Sequence, residues 1–202
     1  TGLGFSCEKA TEIILSFEDK IAPLLVSDNG AEEKLSFVNK CVYEFRQNAL
    51  SIIQERSIDF NQRLKNLLTL CKVEISNRDF NKIIKLFLSF ERLDKGWTKR
   101  LKKIKDKPFS LEVDSALYHY AEQFIANGLY RHLYNAEDTV SVRAKTVGVI
   151  VSWLIIQNVV ESENVNFTNV VDVVRAYSSE VEYSQKNLDK LFNFTYKLIK
   201  LN

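Results

Sequence analysis

Apolar residues recur along most of this chain in steps of three and four, the spacing that puts them on one face of a helix. The first such stretch predicts a helix over about 7–18, capped by Ser6 and ending before Pro23, with a Ser-Asp-Asn-Gly turn at 27–30. Leu35, Val38, Val42, Phe45, Ala49, Ile52 and Ile53 predict a long helix over about 32–55. Asp59-Phe60-Asn61-Gln62 has the form of a capping box and opens a helix carrying Leu64, Leu67, Leu68, Cys71 and Ile75. Ser76-Asn77 breaks it, and Phe80, Ile83, Ile84, Phe87, Leu88 and Phe90 predict the next helix, about 79–93. Lys95-Gly96 reads as a C-cap before a short basic helix that runs to about 105. Further helices are predicted over about 110–134 and 139–161, joined by a turn at 135–138 and followed by a polar loop at 162–167.

The last region places Val170, Val174, Tyr177, Val181, Ser184, Leu188, Leu191, Thr195 and Leu198 on one seam, with Ser184 suited to capping a break within it. No stretch alternates with period two between hairpin turns. The expected class is all-α, a bundle-like arrangement of about seven to nine helices. It would form one domain over 1–202, or two packed halves, 1–95 and 109–202.

Composition adds bounds. Among 202 residues, 46% are hydrophobic and 27% charged, which suits a soluble globular core. With only 6 Gly and 2 Pro, long helices are favoured over many-turned sheets. Three widely spaced cysteines (Cys7, Cys41 and Cys71) do not form a disulfide framework and suit a reducing, cytoplasmic location. The chain has no Met and begins at Thr1, as a processed product or a fragment would. Thr146 to Ile156 is the most apolar run, far short of the roughly 20 residues that span a bilayer. It reads as a buried central helix, with no membrane partner expected.

Net charge is +2, so the whole chain does not call for a polyanionic partner. The densest basic run is Lys95, Lys99, Arg100, Lys102, Lys103, Lys105 and Lys107, around Trp97. Its cations spread around the helix, which favours a solvated face over a nucleic-acid site. His119 and His132 are 13 residues apart, roughly 220° around a helix, and cannot share a metal. No P-loop, glycine-rich dinucleotide turn or nucleophile elbow occurs.

The densest chemistry lies at 177–188, Tyr-Ser-Ser-Glu-Val-Glu-Tyr-Ser-Gln-Lys-Asn-Leu. On a regular helix Tyr177, Glu180, Ser184 and Asn187 would line one face. A carboxylate and a tyrosine there could hold a lysine ammonium or take its proton. Glu180 and Glu182 fall off the apolar seam, so their exchange for Gln is expected to cost little stability. On residue types alone, the same stretch also suits a capped junction between packed helices.

This run resembles the C-terminal signature of the bacterial flagellin lysine-N-methylase family, close to Tyr-Ser-x-x-Ile/Val-Glu-His/Tyr-Ser-x-x-Asn-Leu. Tyr177, Ser178, Val181, Glu182, Tyr183, Ser184, Asn187 and Leu188 carry it. Gly4 to Ala10 resembles a second segment, near Leu-Ser/Thr-Cys-Pro-Glu-Ala-Ala, with Cys7 on its cysteine and Glu8 replacing its proline. The stretch 57–64 and Tyr130 to Tyr134 share the family's character more loosely.

The resemblance implies the C-terminal half of an enzyme that methylates flagellin lysines with S-adenosylmethionine. Its partners would be flagellin and the enzyme's own cysteine-rich N-terminal half, thought to hold an iron–sulfur or other metal centre. It implies Tyr177, Glu180, Glu182 and Tyr183 as candidate catalytic residues. Ser184, Asn187 and Arg131 are the candidate substrate contacts, and Cys7 the candidate metal ligand. The rival expectation is a non-catalytic helical protein–protein interaction module.

Overall fold

The computed structural model describes residues 29–105, 107, 110–134, 136 and 138–200, with side chains from Val38 to Ile199. The expected 7–18 helix and Cys7 lie outside these residues. Among the described residues there are eight α-helices and no strand. The all-α expectation is met. The helices are α1 (Asn29–Gln54), α2 (Phe60–Leu70), α3 (Asn77–Leu88), α4 (Lys95–Ile104), α5 (Tyr118–Leu133), α6 (Thr139–Glu163), α7 (Phe167–Tyr177) and α8 (Gln185–Lys200).

Local chemistry sets most of the boundaries. Asn29 and Gly30, expected in a turn, belong to the first turn of α1. Asp59 caps α2 by accepting from the backbone N–H groups of Asn61 (2.9 Å) and Gln62 (3.3 Å). The reciprocal half of that box is not made, because Gln62 donates to Asn66 instead. The complete capping box sits at Ser76 and Asp79, where α3 begins. Helix α2 stops at Leu70 rather than near Ile75, because Lys72 takes a left-handed φ of 54°. The N–H groups of Lys72 and Val73 then close the end onto Thr69 and Leu68.

Two further expectations are corrected. Lys95-Gly96 does not close a helix; it opens α4, with Asp94 at the N-cap position. The stretch 110–114 is not helical, and α5 starts at Tyr118 after a 3₁₀ turn at Ser115–Leu117. Long-range hydrogen bonds explain the second difference. Asn61 takes the Val113 N–H at 2.7 Å and donates to its carbonyl at 3.2 Å, while Gln157 donates to the Glu112 carbonyl. These partners satisfy the backbone without helix.

Helix α6 is the centre. It packs against α1, α4, α5, α7 and α8, and an unbroken run from Thr146 to Val160 is buried. It is the one helix among the described residues that is long and apolar enough to cross a membrane by length and composition. Here 78% of its apolar window is covered by the other helices. Two glycines bring it close to its neighbours. A Cβ on Gly128 of α5 would lie 2.6 Å from Val149, and one on Gly148 would lie 2.8 Å from the Phe192 ring of α8.

An ion cluster, buried at Arg63 and Glu122 and open to solvent at Arg56, ties α2 to α5. Glu122 of α5 accepts from Arg63 of α2 at 2.9 Å and from Arg56 at 2.7 Å, and Arg63 also donates to the Ile53 carbonyl. Burial alone would raise the Glu122 carboxyl pKa, but the two guanidiniums hold it below the usual carboxylate range. Its contribution to stability is therefore present above the ordinary value of 4.5 and is lost as pH falls through the depressed folded value. Replacing Arg63 with Met takes away the buried partner of this carboxylate, a change that ordinarily costs about 3–5 kcal/mol. With Arg56 still in place, we expect about 3 kcal/mol in urea unfolding at pH 7, and a weaker loss of stability on acidification than in the unaltered protein.

Candidate functional site

The terminal signature does not form a regular helix. Residues Ser178–Glu182 form a π-turn, in which the Tyr183 N–H reaches the Ser178 carbonyl at 3.0 Å. Ser184 then caps α8, its hydroxyl accepting from the Asn187 N–H at 3.3 Å. The wider turn and the break rotate successive side chains away from one common face. This corrects the single-face reading, and π-turns are often found at functional sites.

Tyr177 points inward. Its hydroxyl donates to Ser152 Oγ at 2.7 Å, and Ser152 donates to the Gly148 carbonyl. The rings of Phe87, Trp97 and Phe124 surround it. Burial pushes the phenol well above its usual range, with the Ser152 contact offsetting part of the shift, so it stays protonated near neutrality.

Glu180 is buried at 3% exposure, contrary to the expectation that it lies off the core. Its Oε1 accepts from the Asp94 N–H at 2.6 Å, and its Oε2 from the Leu93 N–H at 2.9 Å. Asn187, fully buried, exchanges hydrogen bonds with both the N–H and the carbonyl of Glu91, and donates to the Glu180 carbonyl at 2.7 Å. Together they clamp the 91–94 loop between α3 and α4.

Glu182 faces another way. Its Oε2 accepts from Arg131 Nη1 at 3.1 Å and from Ser178 Oγ at 2.9 Å. These three residues stand at one end of a cleft of about 370 Å³ between α5 and α7. Tyr120 and Phe124 contribute rings to its lining, and Val170, Val171 and Val174 contribute aliphatic surface. Its volume suits a small ligand or a long side chain. Phe167, 67% exposed, lies beside Tyr120. Tyr183 is 79% exposed.

The structure thus brings Arg131 and Glu182 together at the cleft and sends Glu180 and Asn187 to the loop. Ser184 serves as a helix cap. The cleft residues Tyr120, Phe124, Asn127 and Ser178 were missed as site residues by spacing alone. The one local hint was Gly128, a glycine inside a helix, which marks close packing. A second, much smaller cavity, about 10 Å³, is lined by Tyr177, Ser152, His132 and Glu182 among others. Burial lowers the pKa of the His132 imidazole, more than the Glu182 charge raises it.

No group of three or more His, Cys, Asp or Glu that could hold a metal occurs among the described residues. Cys41 and Cys71 are separate, buried and unbridged, so the described residues do not fit an iron–sulfur cluster.

The fold and the cleft define an all-helical domain with an aromatic-lined cleft whose charged residues are Arg131, Arg175 and Glu182. A family model for the FliB lysine N-methylase C-terminal domain matches residues 65–200, more than half of the chain and all of the cleft. The chain belongs to that lysine N-methylase family. Neither a curated protein nor a solved structure gave a match.

The geometry separates the two glutamates by stability. Glu180→Gln turns a charged acceptor of two backbone N–H groups into an amide that can accept only one without a clash. Hydrogen bonds to charged groups contribute about 1.5–3 kcal/mol, so a loss of about 2–3 kcal/mol is expected in denaturant unfolding. Glu182→Gln should stay within about 1 kcal/mol, since the amide oxygen can still accept from Ser178 and the cation partner Arg131 is half exposed and can turn to solvent.

Proposed function

We propose that this chain acts within an S-adenosylmethionine-dependent methylase that modifies lysine side chains of flagellin, and that the α5–α7 cleft receives the target lysine. The observation that carries this reading is the convergence of Arg131, Ser178 and Glu182 at one end of an aromatic-lined cleft, within the segment matched by the lysine N-methylase family.

The cleft chemistry suits the substrate. The four-carbon stem of a lysine would lie along Val174 and the Phe124 ring, and its ammonium would reach Glu182. Arg131 already pairs with that carboxylate, and 52% of its side chain is exposed. The Glu182 side chain is 13% exposed, so its carboxylate needs a partner, and an incoming ammonium would take over from a guanidinium that is free to turn into solvent. Phe167 and Val171 at the exposed side offer apolar contact to the polypeptide that carries the lysine.

In this reading Tyr177, Glu180, Ser184 and Asn187 build the site, Glu182 and Arg131 work in it, and exposed Tyr183 contacts the substrate chain. S-adenosylmethionine is the second substrate and supplies the methyl group as a sulfonium. The described residues hold no glycine-rich turn after a strand, the usual cradle for this donor, and we assign no contact to it. A cytoplasmic location goes with the reading, as the unbridged Cys41 and Cys71 would suit.

The test uses the full-length enzyme with flagellin and S-adenosylmethionine. Glu182→Gln should lower lysine methylation at least about tenfold while leaving the melting temperature nearly unchanged. Unchanged methylation in a folded Glu182→Gln enzyme would remove the cleft from the reaction and favour the plain interaction module.

A further inference from the structure

His132 follows Arg131 on α5, and adjacent helical residues point in different directions. Arg131 lines the cleft, whereas His132 lines the small cavity. Phe124, Gly128 and Glu182 line both spaces, so the two share a wall. The His132 ring is half-buried and meets the Phe192 ring edge-on at 5.2 Å between centroids. The cavity, about 10 Å³, is close to the space that one water needs, and it has polar groups on several sides. Two of those groups are already committed: the Tyr177 hydroxyl donates to Ser152, and Ser152 donates to the Gly148 carbonyl. Their protons are engaged, and the basic groups left at the cavity are the His132 imidazole and the Glu182 carboxylate.

We propose that His132 is the proton acceptor for the target lysine, taking the ammonium proton from the Glu182 end of the cleft through the small cavity behind it. The proposal rests on the reading of the cleft given above. In the step, one N–H bond of the ammonium breaks and the proton passes to an imidazole nitrogen, directly or over one water. The freed nitrogen lone pair attacks the methyl carbon of the methylsulfonium donor. The C–S bond breaks and its electron pair stays on sulfur. The imidazolium then returns its proton to solvent.

A base must be stronger than a plain carboxylate to draw a proton from an amine. Imidazole exceeds a glutamate by about two units in ordinary pKa, a margin that burial narrows at His132. Burial keeps the His132 ring neutral near pH 7 and therefore ready to accept. The charged groups that bear on it are Glu182 from the π-turn, Arg131 from its own helix and Lys145 from α6. Glu182 favours the imidazolium once formed, and the two cations oppose it. Tyr177 faces the cavity from α7 as a protonated phenol, and α8 contributes only Leu188, Leu191 and Phe192.

The test compares kcat and its pH profile for full-length enzyme and its His132→Gln variant, on flagellin with S-adenosylmethionine. The unaltered enzyme should show kcat rising with pH through an apparent pKa below about 6.5, then a plateau. His132→Gln should lower kcat at least about tenfold, leave KM within about twofold and abolish that limb, and added imidazole should restore part of the rate to His132→Gly. An NMR titration of the imidazoles in the 202-residue chain, which has only His119 and His132, should place His132 at the kinetic pKa without relying on turnover. A folded His132→Gln enzyme that keeps both rate and limb would overturn the proposal. If both variants fail to fold, a flat profile for the unaltered enzyme across this range overturns it. Absence of methyl transfer by the unaltered enzyme would instead remove the proposed function, and this proposal with it.

Discussion

The carboxylate of Glu180 is the joint on which the site depends. It accepts two backbone N–H groups from a loop 86 and 87 residues away in sequence, and so fixes the α7–α8 junction against the α3–α4 junction. A buried carboxylate with both oxygens engaged by rigid backbone donors cannot shift without losing charge-assisted bonds. Asn187 doubles the clamp by holding the same loop at Glu91 and the Glu180 carbonyl at once. Two residues on from Glu180, Glu182 inherits that rigidity. Its position at the cleft is set by a clamp that never touches the cleft.

The π-turn is what allows neighbouring glutamates to do different jobs. In a regular helix, residues 180 and 182 would point about 200° apart but would remain tied to the 3.6-residue register of Tyr177 and Asn187. The extra residue in the turn and the restart at Ser184 free the two ends from each other. Tyr177 can then enter the core toward Ser152, and Asn187 can face the 91–94 loop. Ser178 and Glu182 are left between them at the cleft.

Much of this fold was legible in the sequence because it is written locally. The apolar run near 146–156 is the buried centre of α6, and the seam from Val170 to Leu198 holds through a break that Ser184 does cap. What was not legible came from long-range hydrogen bonding. Asn61 holds Val113 in an extended stretch that composition alone would make helical. Gly96 looks like a helix end, yet Glu180 takes the N–H groups just before it and the chain starts a helix there. Glu180 itself is polar in a run of polar residues, and nothing local says that it is buried. For the candidate site, the signature covers the π-turn, where the structure makes Arg131 and Glu182 neighbours. The aromatic wall was missed because Tyr120 and Phe124 lie on a different helix and read as ordinary packing residues.

The site's electrostatics follow from depth. Glu180 is deep and its charge is spent on amides; Glu182 is largely covered too, at 13% exposure, but its cation partner Arg131 is half exposed. Only the second arrangement can exchange partners, because water can replace a surface guanidinium at little cost whereas it cannot reach a buried amide pair. In the proposed reading, an anionic end offered to an incoming cation needs both glutamates, one held in place so that the other can be offered. Removing the first would leave the chemistry of the cleft intact in composition but without a fixed place to occur.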